Sequence, residues 1–221
     1  NLPSVPGLLE HLDKEFAANG YDQKKLIRMI LNSRVYQLSP VPKSDNPRAA
    51  AMFASYPVRR LEAEVLQDAL CQLTGTMEGY NSPIPEPFTY IPASARSVNL
   101  ADASITSSFL EMFGRSQRDS GCVMERNNKI SDAQRLHLLN SSQVQGKIEK
   151  SWRFKNLLQG NRGNPSKVVR AVWLAVLSRP PLPDEEQEAL AHGFDNKQGA
   201  KQAVDDLVWA LVNSKEFLYR H

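Results

Sequence analysis

NPSKVVRAVWLAVLSRPP, residues 164–181, is the stretch whose reading decides the fold. Its apolar residues recur at helical spacing, Ser166 is expected as its N-cap, and Pro180–Pro181 forbid its continuation. Downstream, DEEQEALAHGF has acidic residues in its first turn, where the helix dipole favours them, with Asp184 as the expected cap. A last helix is expected from about Gln198 to Val212. Upstream lie a helix over Val144–Leu158, one opened by Ser131 in SDAQRLHLLNSS, and a short one in SITSSFLEMFGR. YPVRRLEAEVLQDALCQLTG places Val58, Leu61, Val65, Leu66, Ala69 and Leu73 in helical register and stops at Gly75. At the start, Leu8, Leu9, Leu12 and Phe16 form one stripe that ends at Gly20. Asp22 then caps a helix carrying Leu26, Ile27, Ile30 and Leu31. No segment shows a period-two strand. The reading is an all-α, irregular multi-helix domain over residues 1–221. It has a polar interruption from Ser39 to Pro57, a long proline-containing loop at about 76–103, and at most a short hairpin within 83–100.

A local device recurs three times: ILNSRVY (30–36), LLNSSQV (138–144) and LVNSKEF (211–217). An aliphatic helix end reaches Asn, which tolerates the left-handed conformation. Ser then caps one more turn, which returns Tyr36, Val144 or Phe217 toward the apolar side. No Gly-x-Ser-x-Gly elbow surrounds these serines, so the motif is read as structural.

Composition narrows the function classes. The hydrophobic content of 41% and charged content of 23% are ordinary for a globular chain. A net charge of +3 without a Lys/Arg block argues against nucleic acid as partner. No apolar run reaches the length of about 18 residues that a membrane helix needs. The chain opens at Asn1 without a Met or a visible signal peptide and is expected to be a mature or trimmed piece.

The densest polar constellation is FGRSQRDSGCVMERNNKISDAQRLHLLNS, residues 113–141. Arg115, Arg118, Asp119, Glu125 and Arg126 suit either an anion or glycan contact or a salt-bridged loop that pins the following helix; the second is favoured. In VRRLEAE, Arg60 and Glu64 read as a solvated helix face, with the alternative that this helix faces the 113–126 loop. Cys71 and Cys122 are too few for a multi-cysteine metal site. Bonded, they would close a long loop worth roughly 3–4 kcal/mol. Unbonded, Cys71 is a small core residue and Cys122 a thiol open to activation by neighbouring arginines. No metal-binding histidine pair occurs; His137 is read as a hydrogen-bonded core residue, and Trp152, Trp173 and Trp209 as core. In PIPEPFTYIP, Phe88 and Tyr90 are candidates for a carbohydrate-stacking platform.

Six blocks in order, GYDQKKLIRMILNSRVYQLS, YPVRRLEAEVLQDAL, FLEMFGRSQRDSGCVMER, ISDAQRLHLLNS, VWLAVLSRPPLPDEE and DLVWALVNSKEFLYRH, resemble the C-terminal domain of unknown function 1553 of planctomycete and verrucomicrobial cytochrome-c-associated proteins. The resemblance implies that this chain is the C-terminal portion of a larger protein in an exported, periplasmic or cell-envelope location, with haem on an upstream domain and no cofactor in this segment. Where that family usually sets two cysteines before a Glu-Arg pair, only Cys122 matches here; Val123 and Met124 precede Glu125 and Arg126. The leading expectation is a non-catalytic interaction module. It would dock other domains of the same chain, or an envelope protein, through residues 113–126 and the 76–103 loop. The rivals are a carbohydrate-binding or polysaccharide-degrading domain, with Glu125 and Asp119 or Asp102 as carboxylates, and a redox domain holding haem.

Overall fold

Short capped helices carry almost all the regular structure, and the caps follow from side chains that satisfy the free N–H groups of each first turn. The computed structural model describes residues 3, 5–49, 51–84, 90–100, 105–116, 126–127, 129–161, 163–194 and 199–220. These divide into two compact units, Asn1–Arg59 with Arg220–His221, and Arg60–Tyr219.

The first unit contains α1 (Pro6–Ala18) and α2 (Gln23–Leu31). Pro6 opens α1, and Asp22 Oδ1 caps α2 by accepting from Lys24 N at 2.9 Å and Lys25 N at 3.3 Å. Gly20 and Tyr21 both take positive φ in the turn between them, and the Tyr21 ring closes edge-on against Phe16. Neither helix buries a single residue, although both are amphipathic. Residues 39–57 form the expected irregular stretch, tied by Tyr56 N to Ser39 O and by the Tyr36–Tyr56 ring contact.

The second unit is built on α8 (Pro165–Leu177) and α10 (Ala200–Val212), whose buried faces carry Val168, Val169, Val172, Val176, Val204, Val208 and Val212. Around this pair pack α3 (Ala63–Thr74), α4 (Ser108–Met112), α5 (Asp132–Asn140), α6 (Ser142–Glu149), α7 (Trp152–Gly160), α9 (Pro183–Ala189) and α11 (Lys215–Leu218). One core joins Leu66 and Leu70 of α3, Phe109 and Leu110 of α4, Val144 and Ile148 of α6, and Phe154 of α7 to the central pair. Each such fully buried aliphatic or aromatic side chain contributes about 1.5–3 kcal/mol relative to exposure. Residues Arg59–Arg60 (β1) and Tyr219–Arg220 (β2) form a two-residue ladder, and Asn81 and Thr106 a single antiparallel bridge. The architecture is all-α, and no helix among the described residues is long and apolar enough to cross a membrane.

Several local expectations are corrected. The helix after Tyr56 begins at Ala63 and not at Val58, because Arg59 and Arg60 are extended in the ladder. Residues 144–158 are two helices, broken where the Ser151 side chain accepts from Phe154 N and caps α7. Asn164, not Ser166, caps α8, with Pro165 as the first helical residue. At α9 the capping position is Leu182, whose N–H is accepted by Glu185 instead of any contact to Asp184. A π-helical turn, Leu190–Phe194, follows α9. Trp152 is 55% exposed, its Nε1 donating to Gly75 O at 3.1 Å, whereas Trp173 is buried as expected.

The three Asn-Ser copies share one geometry. Ser33, Ser141 and Ser214 Oγ each accept from the backbone N–H three residues on, all at 3.2 Å. Val144 is buried and Phe217 packs on the core, but Tyr36 stays exposed. The asparagines are not left-handed: Asn32 and Asn213 are right-handed C-caps, and Asn213 Nδ2 instead donates to Trp209 O.

Candidate functional site

Helix α3 has two faces. Leu66 and Leu70 enter the core, while Glu64, Gln67, Asp68 and Cys71, spaced i, i+3, i+4 and i+7, make a polar stripe. That stripe is covered and not solvated: Glu64, Gln67 and Asp68 are buried and Cys71 is half-buried. Reading Arg60 and Glu64 as an exposed pair is therefore corrected, and the face of α3 does turn toward the segment after α4.

Glu64 is the centre of the arrangement. Arg126 grips its carboxylate in bidentate fashion, Nη1 to Oε2 and Nη2 to Oε1 at 2.7 Å each. Arg115 Nε lies 3.3 Å from Glu64 Oε1, and its Nη1 donates to Ile105 O at 2.5 Å. Burial alone would raise the Glu64 carboxyl. The hydrogen bonds and charge of Arg126, with the charge of Arg115, outweigh it, and the net shift is downward. A carboxylate so held stays ionised with its lone pairs committed, a poor base or proton donor at neutral pH. The Arg126 guanidinium is correspondingly raised, chiefly by its hydrogen bonds to Glu64.

The neighbouring groups are also committed to holding segments together. Arg60 donates to Gln134 Oε1 and, at 3.1 Å, to Phe113 O, and stacks over the Phe113 ring. Gln134 accepts from Ser131 N and donates to Met112 O at 2.7 Å, so α5 is tied to the end of α4. Gly114 takes φ +91°, and a Cβ there would stand 2.0 Å from Asn127 O. Only glycine lets the chain pass that close on its way to Arg126. Further along α3, Asp68 accepts from Ser97 N at 2.7 Å and Val98 N at 3.3 Å, and pairs with Arg96. Tyr80 and Ser97 hydroxyls meet at 2.7 Å. Lys147 Nζ pairs with Glu78 at 2.9 Å and lies 3.5 Å from Cys71 Sγ. Among the described residues Cys71 has no disulfide partner, and burial pushes its thiol up more than the neighbouring Lys147 draws it down.

Of the residues singled out by sequence, Arg115 and Arg126 converge on Glu64. Tyr90 is 75% exposed. Arg118, Asp119, Cys122 and Glu125, together with Phe88 and Asp102, lie outside the described residues. His137 packs edge-on against Phe109 and Phe113, but its Nε2 has no hydrogen-bond partner among the described residues, contrary to the hydrogen-bonded reading. Sequence reasoning set Glu64 beside Arg60 on a solvated face and missed Gln134, Asp68 and Lys147. It also missed Arg179, which binds Glu185 through Nη1 and Nη2 and Glu216 through Nε and Nη2, all at 2.7–2.8 Å. The missed signal was the second, polar stripe of α3 at helical spacing.

Among the described residues no group of three or more His, Cys, Asp or Glu is placed to hold a metal ion. Neither the curated proteins nor the solved structures contain a match to the chain. Residues 1–192 match PSD1, the family described as protein of unknown function DUF1553. With that match over most of its length, on top of the ordered blocks and the helical fold, the chain belongs to the DUF1553 family.

Proposed function

We propose that this chain is a non-catalytic helical docking module of a larger exported protein. The observation that carries the reading is a contrast. The charged groups around α3 are paired with one another, although the buried Gln67 amide has no hydrogen-bond partner among the described residues, while large apolar side chains are left in solvent. On α1 and α2 these are Leu8, Leu9, Ile27 (54% exposed), Ile30 and Leu31. In the 76–103 loop they include Met77 (71% exposed), Tyr90 and Val98. Extended apolar surface of this kind marks sites of association. The partner is another domain of the same polypeptide or one envelope protein, and any haem belongs to an upstream domain.

The test is photo-crosslinking in cells from positions 27 and 90 of the full polypeptide. A discrete adduct with a second domain or a single envelope protein is expected, and it is lost in Ile30→Glu. Absence of an adduct from both positions, together with hydrolysis of a polysaccharide panel, would contradict the proposal. A second reading, a glycan contact, is favoured by one observation, the open ring of Tyr90. A glycan array with Tyr90→Ala as control tests it: loss of a signal supports the contact, and no signal from either protein removes it.

A further inference from the structure

Within the first unit, helix α2 divides its apolar residues into two sets. Leu26 and Met29 are half-buried and line the groove against α1, together with Glu15 and Asn19 of that helix. Ile27, Ile30 and Leu31, spaced i, i+3 and i+4, form a second row that is exposed. The first set holds the two helices together. The second has no role within the unit.

The exposed row has a charged edge. Lys24 stands three residues before Ile27 and Arg28 three before Leu31, so both cations border the row on the helix surface. Both are exposed, and neither has an ion-pair partner among the described residues. The nearest carboxylates in sequence and space do not neutralise them. Asp22 is committed to capping α2, accepting from the Lys24 and Lys25 N–H groups. Glu15 borders the α1 groove, as Arg28 does, but forms no ion pair with it. The bias extends past the helix: residues 23 to 44 hold five Lys and Arg and no Asp or Glu. An apolar row beside unpaired cations on one helix is the pattern of a helix that seats in a partner's apolar groove.

We infer that α2 is the docking helix and that its partner surface is an apolar groove rimmed by Asp and Glu on a protein domain. Ile27, Ile30 and Leu31 enter the groove, and Lys24 and Arg28 meet its rim, where opposite charge sets orientation and rejects basic surfaces. The inference rests on the docking reading and supplies the chemistry of the partner. An anionic lipid surface is the less suitable occupant. The neighbouring α1, with Leu8 and Leu9 also exposed, carries Glu10, Asp13 and Glu15 against Lys14. A flat bilayer taking both apolar faces would meet those carboxylates, whereas a groove takes α2 alone.

The experiment places a photo-crosslinker at position 27 of the full polypeptide. Lys24→Glu combined with Arg28→Glu should lower the adduct yield by about tenfold or more, because like charge would then face the rim. Lys24→Arg combined with Arg28→Lys should leave it unchanged. Mass spectrometry should place the crosslink in a partner segment containing Asp or Glu, and changing those residues to Lys should restore the adduct with the reversed α2. Unfolding curves check that each variant is folded. An adduct that survives charge reversal would overturn the inference and leave the docking reading standing. So would an adduct from position 90 without one from position 27, or a charge swap that restores nothing. Sedimentation of the 221-residue chain with phosphatidylglycerol vesicles, abolished by the reversal, would assign the edge to lipid and overturn it as well. No adduct from either position would overturn it too.

Discussion

At the scale of single residues, the chain uses arginine as a clamp. Arg126 holds Glu64, and Arg179 holds both Glu185 and Glu216, each through parallel N–H donors that lysine cannot reproduce. The Arg179 clamp has a pH signature. Its hydrogen bonds hold the Glu185 carboxyl at about 2 against an ordinary 4.5. A depressed folded-state pKa means that the stabilisation is complete above about 4.5 and is lost as pH falls toward about 2. Urea midpoints measured from pH 6 down to pH 2.5 should decline across that window in the wild type and decline less in Glu185→Gln. Equal slopes would show that the clamp contributes nothing. Residue-level reading of the sequence found Arg115 and Arg126 but not their partner. Glu64 looked like half of an exposed i, i+4 pair with Arg60, and only the extended conformation of Arg60 shows that the two never share a helix face.

At the scale of elements, helices and their order were legible because apolar period and punctuation agree: Gly75 in left-handed conformation ends α3, and Pro180–Pro181 follow α8. Cap positions were less legible where more than one candidate stands near a helix start, as Asn164 and Ser166 do at α8. The caps make distinct predictions. Ser141→Ala and Ser214→Ala should each cost about 0.5–2 kcal/mol in urea unfolding. Asn164→Ala should cost more than Ser166→Ala, because the Asn164 side chain accepts from Lys167 N at 3.0 Å. The reverse order would restore Ser166 as the cap. The break between α6 and α7 was invisible for a similar reason. Apolar spacing runs on through residues 144–158, and Ser151 is a cap only because the chain turns there.

At the scale of the whole molecule, charge and apolar exposure are unevenly distributed. The first 59 residues hold eight Lys and Arg against five Asp and Glu, so the modest basic excess of the chain is concentrated in the first unit. The same unit leaves the apolar faces of α1 and α2 unburied. That exposure is not visible in the sequence, where those faces read as ordinary core stripes; burial depends on what lies opposite. The second unit does the converse, enclosing a polar stripe of α3 and neutralising it. The account stands or falls on that enclosure being structural, and a double-mutant cycle on Glu64 and Arg126, read by urea unfolding of the 221-residue chain, measures it most directly. Glu64→Ala should destabilise by about 3–5 kcal/mol, as expected when a buried ion is stripped of its partner. Arg126→Ala should cost less, since that side chain is the more exposed of the two, and the coupling energy should exceed about 1 kcal/mol. Near-zero coupling with undiminished stability would contradict the account and leave the three charges free to serve a ligand.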